Sequence, residues 1–171
     1  MFQSLCFRRD TVPSYGLLRS MFELRHEVFY DKLGWEVNSL DGLEIDIFDT
    51  KQDPVYVVSQ GYDGEVYGCG RILPTTGAYM LGEVFPELLR GEKLPHSPFV
   101  WELSRLAVSP ALGVGREYPQ ASMCACTFDL LCRGFRFGEE NGIQQYVFVT
   151  SVAMERMLQR AGLKMTRFVD G

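Results

Sequence analysis

The chain has 171 residues, 46% hydrophobic and 23% charged, with a formal net charge of −5; this is enough for one substantial core in a single domain and shows no fibrous or disordered bias. The acidic surplus lies in residues 1–115, which carry ten Lys/Arg against sixteen Asp/Glu, so nucleic acid is not an expected partner. Five cysteines in mostly apolar surroundings read as reduced thiols, and neither a signal-peptide pattern nor a run of about 18 apolar residues is present, so a cytoplasmic protein without a membrane span is expected.

Residues 2–7 read as a first strand. Residues 14–29 place Leu17, Leu18, Met21, Phe22, Leu24, Val28 and Phe29 on one helical stripe, and Pro13 suits its first turn. From 30 to 54 no period is sustained, yet Trp35, Ile45, Ile47 and Phe48 mark this long connection as functional rather than disordered. Residues 54–60 and 65–73 are strand-like and flank the turn signal Tyr62-Asp63-Gly64, which predicts a hairpin.

Residues 75–98 form an excursion punctuated by Pro and Gly, with a short helical piece at 85–90. A central strand follows at 100–108, then a turn at 110–115. Residues 121–140 read as a long helix closed by Asn141-Gly142, 146–150 as a strand, 152–160 as a helix ended by Gly162, and 163–169 as a last strand. This order predicts an α/β fold, a mixed twisted sheet with helices on both faces. It resembles the N-acetyltransferase (GNAT-like) acyltransferase fold, and Pro110, Gly113 and Gly115 resemble that superfamily's pyrophosphate loop with Pro110 in place of the usual Gln or Arg.

The segment Leu43-Glu44-Ile45-Asp46-Ile47-Phe48-Asp49 interleaves three carboxylates with apolar side chains that can anchor it. Carboxylates held that close call for cations, and Arg71 and Arg105 lie in similarly apolar settings. Such a group is either an ion-pair network that only supports the fold or a site that binds a cationic substrate. Alone, Trp35 and Phe29 read as core aromatics and Phe85 as a staple of its short helix. His26 and His96 lack Cys or Asp partners at metal-ligand spacing, Cys124 and Cys126 point to different sides of a helix, and no metal site is expected. Ser104 has no His partner for a hydrolytic triad.

Arg-His-Glu-Val-Phe at 25–29 with Gly34-Trp35, the acidic run, Gly70-Arg71-Ile72-Leu73, Phe85, and Trp101-Glu102-Leu103-Ser104-Arg105 together resemble the LuxI-type acyl-homoserine-lactone synthases (autoinducer synthases). The resemblance implies a transferase of quorum sensing. S-adenosylmethionine is acylated on its amine by an acyl thioester, normally on acyl carrier protein, and the product then closes to a lactone and releases methylthioadenosine. No cofactor is implied, because S-adenosylmethionine is a substrate.

The carry-over makes Glu44, Asp46, Asp49, Arg71, Glu102 and Arg105 the catalytic group, without choosing among the carboxylates for the general base. Arg25, Phe29, Trp35 and Phe85 become S-adenosylmethionine contacts, and Phe148 and Thr150 acyl-pocket residues. Phe148 stands where a Thr accompanies 3-oxoacyl preference in the family, which favours an unsubstituted acyl group. Arg156, Arg160 and Lys164, with Arg167, are spaced as one basic face if the last helix runs on past Gly162. That face suits either an acidic carrier protein or the dipole of the helix C-terminus; Arg133 and Arg136 are lesser candidates.

Family members commonly continue beyond the position of Phe168, so the expectation is a single synthase domain over 1–171 without their usual C-terminal segment. Competing expectations are the same synthase drawing on acyl-CoA, an N-acetyltransferase using acetyl-CoA, and a non-catalytic interaction domain. Glu44→Gln, Arg71→Ala and Arg105→Ala are expected to reduce turnover while leaving the fold largely intact.

Overall fold

A computed structural model describes residues 2–112 and 124–168. Five strands form one sheet in the order β1 (Phe2–Phe7), β4 (Val55–Gly61), β5 (Val66–Pro74), β6 (Val100–Val108), β7 (Gln145–Val147). The first four pair antiparallel, whereas β7 joins β6 in parallel. The sheet is therefore mixed, and helices cover both of its faces. α1 (Tyr15–Arg25), started by Ser14, whose side chain accepts from the Leu17 amide, packs Leu17, Leu18, Met21 and Phe22 against Tyr56, Val58, Cys69 and Ala107. α4 (Ala125–Glu140) packs Cys126 and Leu130 on the other face, against Val55, Val57 and Ile72. α5 (Val152–Arg160) follows β7, started by Ser151.

The excursions between these elements are richer than the sequence pattern predicts. Beyond Arg25 the helix continues as a π-helical turn over His26–Lys32. The long connection then folds into a two-stranded ribbon, β2 (Ser39–Leu40) and β3 (Leu43–Glu44), and a short helix, α2 (Ile47–Lys51). In the 75–98 excursion a turn of helix, α3 (Met80–Glu83), precedes the expected piece, which is a 3-10 helix at Pro86–Leu89. The unexpected helices α2 and α3, five and four residues long, are too short to show a hydrophobic period. Residues 163–168 contain no strand: Gly162 ends α5 at φ 93° and the chain leaves the sheet. β7 is also shorter than expected, ending at Val147. Gly113 and Gly115, and so most of the expected pyrophosphate loop, lie outside the described residues.

Two features of β6 position the site. Among the described residues, β7 pairs with Val100, Trp101 and Glu102 of β6 and with no later residue of that strand. On the other side the register with β5 shifts between Cys69 and Arg71, and Arg105 sits at φ 53°, a left-handed conformation costing a non-glycine residue roughly 1–2 kcal/mol. The bulge breaks the in-out alternation. Ser104 and Arg105, consecutive in the chain, both reach groups on the α1 side of the sheet, whereas Leu103 and Leu106 line a cavity on the α4 side.

Candidate active site

The acidic run folds as the start of α2. Asp46 is the N-cap: its Oδ1 accepts from the amides of Phe48 (2.9 Å) and Asp49 (3.1 Å), and Asp49 Oδ2 accepts from the Asp46 amide in return (2.9 Å), a reciprocal capping box. Phe48 is buried beside Leu73 and Tyr79, which fixes the segment to the sheet. The carboxylates are thus held by backbone before any arginine reaches them.

Three guanidiniums then meet three carboxylates. Arg25, at the end of α1, forks onto both oxygens of Asp49 (3.0 and 2.8 Å) and donates through Nε to Glu44. Arg71, from β5, reaches Asp46 (2.6 Å) and Asp49 (3.0 Å) through Nη1 and Ser104 through Nε (3.3 Å). Arg105 donates to Glu44 from Nε and Nη2 (3.1 and 3.0 Å) and lies 3.0 Å from Asp46 Oδ2, out of line for a hydrogen bond. Tyr56 adds a hydroxyl to Asp49 Oδ1 at 3.1 Å. Arg25, Glu44, Asp49 and Arg71 are each at most 1% exposed.

Burial alone would raise the Asp49 pKa, but Arg25 and then Arg71 outweigh it and hold the carboxyl well below the usual range. Burial likewise opposes the charge on Arg25 and Arg71, and Asp49 reverses that effect in both, raising their pKa values. Two buried polar atoms of this cluster lack a hydrogen-bond partner: Arg71 Nη2, a donor, and Asp46 Oδ2, an acceptor.

Glu102 stands apart from the cluster. Its two oxygens accept from the amides of Met80 (3.0 Å) and Leu81 (2.8 Å), so it caps α3 from β6, and burial raises its pKa despite those bonds. α3 in turn sets the Met80 sulfur 3.2 Å from Arg105 Nη1. Phe29, on the π-helical turn, is buried beneath the Arg105 guanidinium (5.5 Å to the ring centroid) and stacks on Trp35 at 5.1 Å and 12°. Trp35 is 50% exposed and offers surface beside that stack. Phe85 is half-buried against the cluster of Phe48, Leu73, Tyr79 and Leu81.

On the other face of β6, a narrow apolar cavity with space for the centre of about one water lies between sheet and α4, bounded by Gly70, Ile72, Leu103, Leu106, Gly134 and Tyr146 among others. Phe148, half-buried, and Thr150, exposed, follow β7 and are not among its lining residues. Arg156, Arg160 and Lys164 are exposed. Only the two arginines share α5, because the helix ends at Arg160; Arg167 pairs with Glu155 at 2.7 Å.

The structure thus brings together Arg25, Glu44, Asp46, Asp49, Arg71 and Arg105, places Phe29 and Trp35 at their edge, and separates Glu102 and Phe85 from direct contact with the carboxylates. Sequence reading misses Tyr56, Ser104 and Met80. A tyrosine inside the run Val55-Tyr56-Val57-Val58 is the one signal available for the first, since a buried hydroxyl requires a partner; the other two carry none.

The autoinducer synthase family model matches residues 12–171. An acyl-homoserine-lactone synthase of Pseudomonas aeruginosa is 41% identical over 154 residues, 89% of this chain and 74% of that protein. The crystal structure of the acyl-homoserine-lactone synthase LasI superposes with a TM-score of 0.85 at 40% identity, covering 99% of this chain and 82% of that one. BjaI, a CoA-dependent acyl-homoserine lactone synthase solved with S-adenosylmethionine and isopentyl-CoA, gives 0.72 at 30% identity, 86% of this chain and 65% of that one. An acyl-CoA N-acyltransferase from Pseudomonas aeruginosa, at 16% identity and a TM-score of 0.60, shares the fold alone. With the motif residues gathered on one side of a bulged central strand and these matches spanning nearly the whole chain, the protein belongs to the autoinducer synthase family.

Proposed function

We propose that this enzyme makes an acyl-homoserine lactone from S-adenosylmethionine and an acyl thioester, and that the thioester is carried by acyl carrier protein. The observation that carries the reading is the buried Arg71–Asp46 ion pair, in which, among the described residues, the donor Arg71 Nη2 makes no hydrogen bond and Asp46 Oδ2 accepts none, having only an ion-pair contact with Arg105 at 3.0 Å. An α-amino acid head group brings the complementary carboxylate and ammonium. The sulfonium and adenine are then cationic and aromatic surfaces suited to Phe29 and Trp35, a contact worth about 0.5–2 kcal/mol.

In this reading the amine nitrogen attacks the thioester carbonyl from the carboxylate side, and Asp46 Oδ2 takes the proton directly or through a water. Asp49, Glu44 and Glu102 each accept hydrogen bonds on both carboxylate oxygens, whereas Asp46 Oδ2 has only its ion-pair contact with Arg105. Glu102 acts instead by holding α3 and Met80 against Arg105. The oxyanion is met by backbone N–H groups freed at the Arg105 bulge. The carrier leaves as thiol. The carboxylate of the acylated intermediate next displaces methylthioadenosine from the sulfonium carbon and closes the ring. No cofactor or metal enters this scheme.

The carrier choice rests on exposed Arg156, Arg160 and Lys164, which suit an acidic protein surface. CoA is the second reading, favoured by the likeness to BjaI. The test presents one acyl group on both carriers, with acetyl-CoA as a third donor. Higher kcat/KM with carrier protein, lowered by Arg156→Glu and Arg160→Glu, is expected. Equal or better use of acyl-CoA, unaffected by those changes, overturns the carrier choice, and acetyl transfer without methylthioadenosine overturns the synthase.

A further inference from the structure

Tyr56 and Arg71 are direct partners across the β4–β5 ladder, so their side chains share a face of the sheet and converge on one carboxylate oxygen. Asp49 Oδ1 accepts from the Tyr56 hydroxyl at 3.1 Å, from Arg25 Nη1 at 3.0 Å and from Arg71 Nη1 at 3.0 Å, while Oδ2 accepts from Arg25 Nη2 at 2.8 Å and from the Asp46 amide at 2.9 Å. A carboxylate offers about four lone-pair sites, and the two arginines with the Asp46 amide already supply four donors. The Tyr56 hydroxyl is a fifth. Asp49 is satisfied without it. Packing does not call for it either, because the ring lies beside Phe7 and Phe22, with centroids at 5.9 and 6.0 Å, where a phenyl ring fills the same space.

The surplus donor changes how Arg71 is shared. Arg71 Nη1 lies 2.6 Å from Asp46 Oδ1 and 3.0 Å from Asp49 Oδ1, so its closer partner is the partly exposed carboxylate and not the buried one. With Tyr56 and Arg25 also drawing on Asp49 Oδ1, Arg71 is left the weaker share of that oxygen. A guanidinium is a rigid plane, so where Nη1 rests fixes where Nη2 points. Its Nε on Ser104 at 3.3 Å and the Phe48 ring, 5.3 Å away at the centroid, complete the seat. Burial and then the charge of Asp49 raise the Tyr56 pKa, so the hydroxyl keeps its proton and remains a donor wherever the enzyme works.

Resting on the synthase reading above, in which Arg71 Nη2 meets the substrate carboxylate, we infer that Tyr56 is a positioning residue: its hydroxyl, by loading Asp49 Oδ1, holds Arg71 on Asp46 and so aims Nη2 at the carboxylate of S-adenosylmethionine. Without the hydroxyl, Asp49 regains a lone pair and draws Arg71 Nη1 inward, and Nη2 turns with it. The effect falls on the amino-acid head of the substrate and spares the adenosine.

The experiment titrates the full chain calorimetrically with two ligands, S-adenosylmethionine and methylthioadenosine, which lacks the amino-acid head group. The proteins compared are the wild type, Tyr56→Phe, Tyr56→para-aminophenylalanine and Val58→Ala. Tyr56→Phe is expected to weaken S-adenosylmethionine about tenfold and to leave methylthioadenosine within about twofold. The para-amino group restores a donor at the same point and is expected to return S-adenosylmethionine to within about threefold of the wild type. Val58→Ala removes packing from the same face of β4 without touching the cluster, so it is expected to lower the melting temperature and leave the ratio of the two affinities unchanged. The inference is overturned if Tyr56→Phe weakens both ligands alike or neither, if it does not fold, if the amino variant restores nothing, or if Val58→Ala moves the ratio as far. Each of these leaves the synthase reading standing as long as the wild type forms lactone. A wild type that does not bind S-adenosylmethionine overturns both.

Discussion

At the residue scale, the arginines of the cluster have two jobs that differ in energy. Arg25 and Arg71 are buried with their carboxylates, and removing one partner of such a pair leaves an uncompensated charge, at a cost of about 3–5 kcal/mol. Arg25→Ala and Arg71→Ala should therefore lower stability by that order in denaturant melts as well as abolish turnover, whereas the sequence alone leads to the expectation of a largely intact fold for Arg71→Ala. Asp46→Asn is a cleaner probe, because the amide oxygen can still cap α2 while losing basicity. Its kcat should fall by about 10²–10⁴-fold, with a loss of stability smaller than that of the arginine variants because the Asp46 side chain keeps some exposure; unchanged kcat would remove Asp46 as the base. Asp49 gives the pH dependence. Its folded pKa is depressed below the ordinary 3.8, so its contribution is present above that value and is lost as pH falls through it toward the folded pKa. Stability measured from about pH 6 down to about pH 3 should drop, and Asp49→Asn, already destabilised, should drop less over the same interval.

At the element scale, the bulge in β6 is what makes one strand serve two faces. Its strain predicts an ordering: Arg105→Gly should be more stable than Arg105→Ala by about 1 kcal/mol, since only glycine adopts φ 53° freely, while both lose turnover. Equal stabilities would mean that the left-handed turn relaxes on substitution. The same scale explains what the sequence hides. β1, α1, the β4–β5 hairpin, β6, α4 and α5 are legible because each sustains a period of two or 3.6, or is closed by a turn or cap residue. The π-helical turn keeps apolar Val28 and Phe29 on an apparently α-helical stripe, so composition does not betray the wider register. α2 was signalled by Asp46 and Asp49 three residues apart, a capping pattern that reads equally as a catalytic acidic run. The reciprocal capping is why the carboxylates are so firmly placed.

At the scale of the whole molecule, the sheet separates a charged cluster on the α1 side from an apolar cavity on the α4 side. Among the described residues no helix is long and apolar enough to cross a membrane. Motif spacing identified which charged residues belong together, because arginines and carboxylates in apolar settings must find one another. It did not separate their roles: Arg25 reads as a substrate contact yet is ion-paired with the carboxylates, and Glu102, which reads either as a base or as an organiser of Arg105, caps α3. Nor did it find the small apolar cavity under α4, lined in part by Gly70 and Gly134, residues that leave no hydrophobic signal.

The central claim is that one active site acylates S-adenosylmethionine and then expels methylthioadenosine. The direct measurement is the stoichiometry of a reaction containing S-adenosylmethionine labelled in its methionine carbons and one acyl carrier protein thioester, followed by mass spectrometry. Labelled acyl-homoserine lactone and methylthioadenosine forming one to one, with one equivalent of free carrier thiol, is the predicted result. Carrier thiol released without methylthioadenosine, or methylthioadenosine released without lactone, would contradict it.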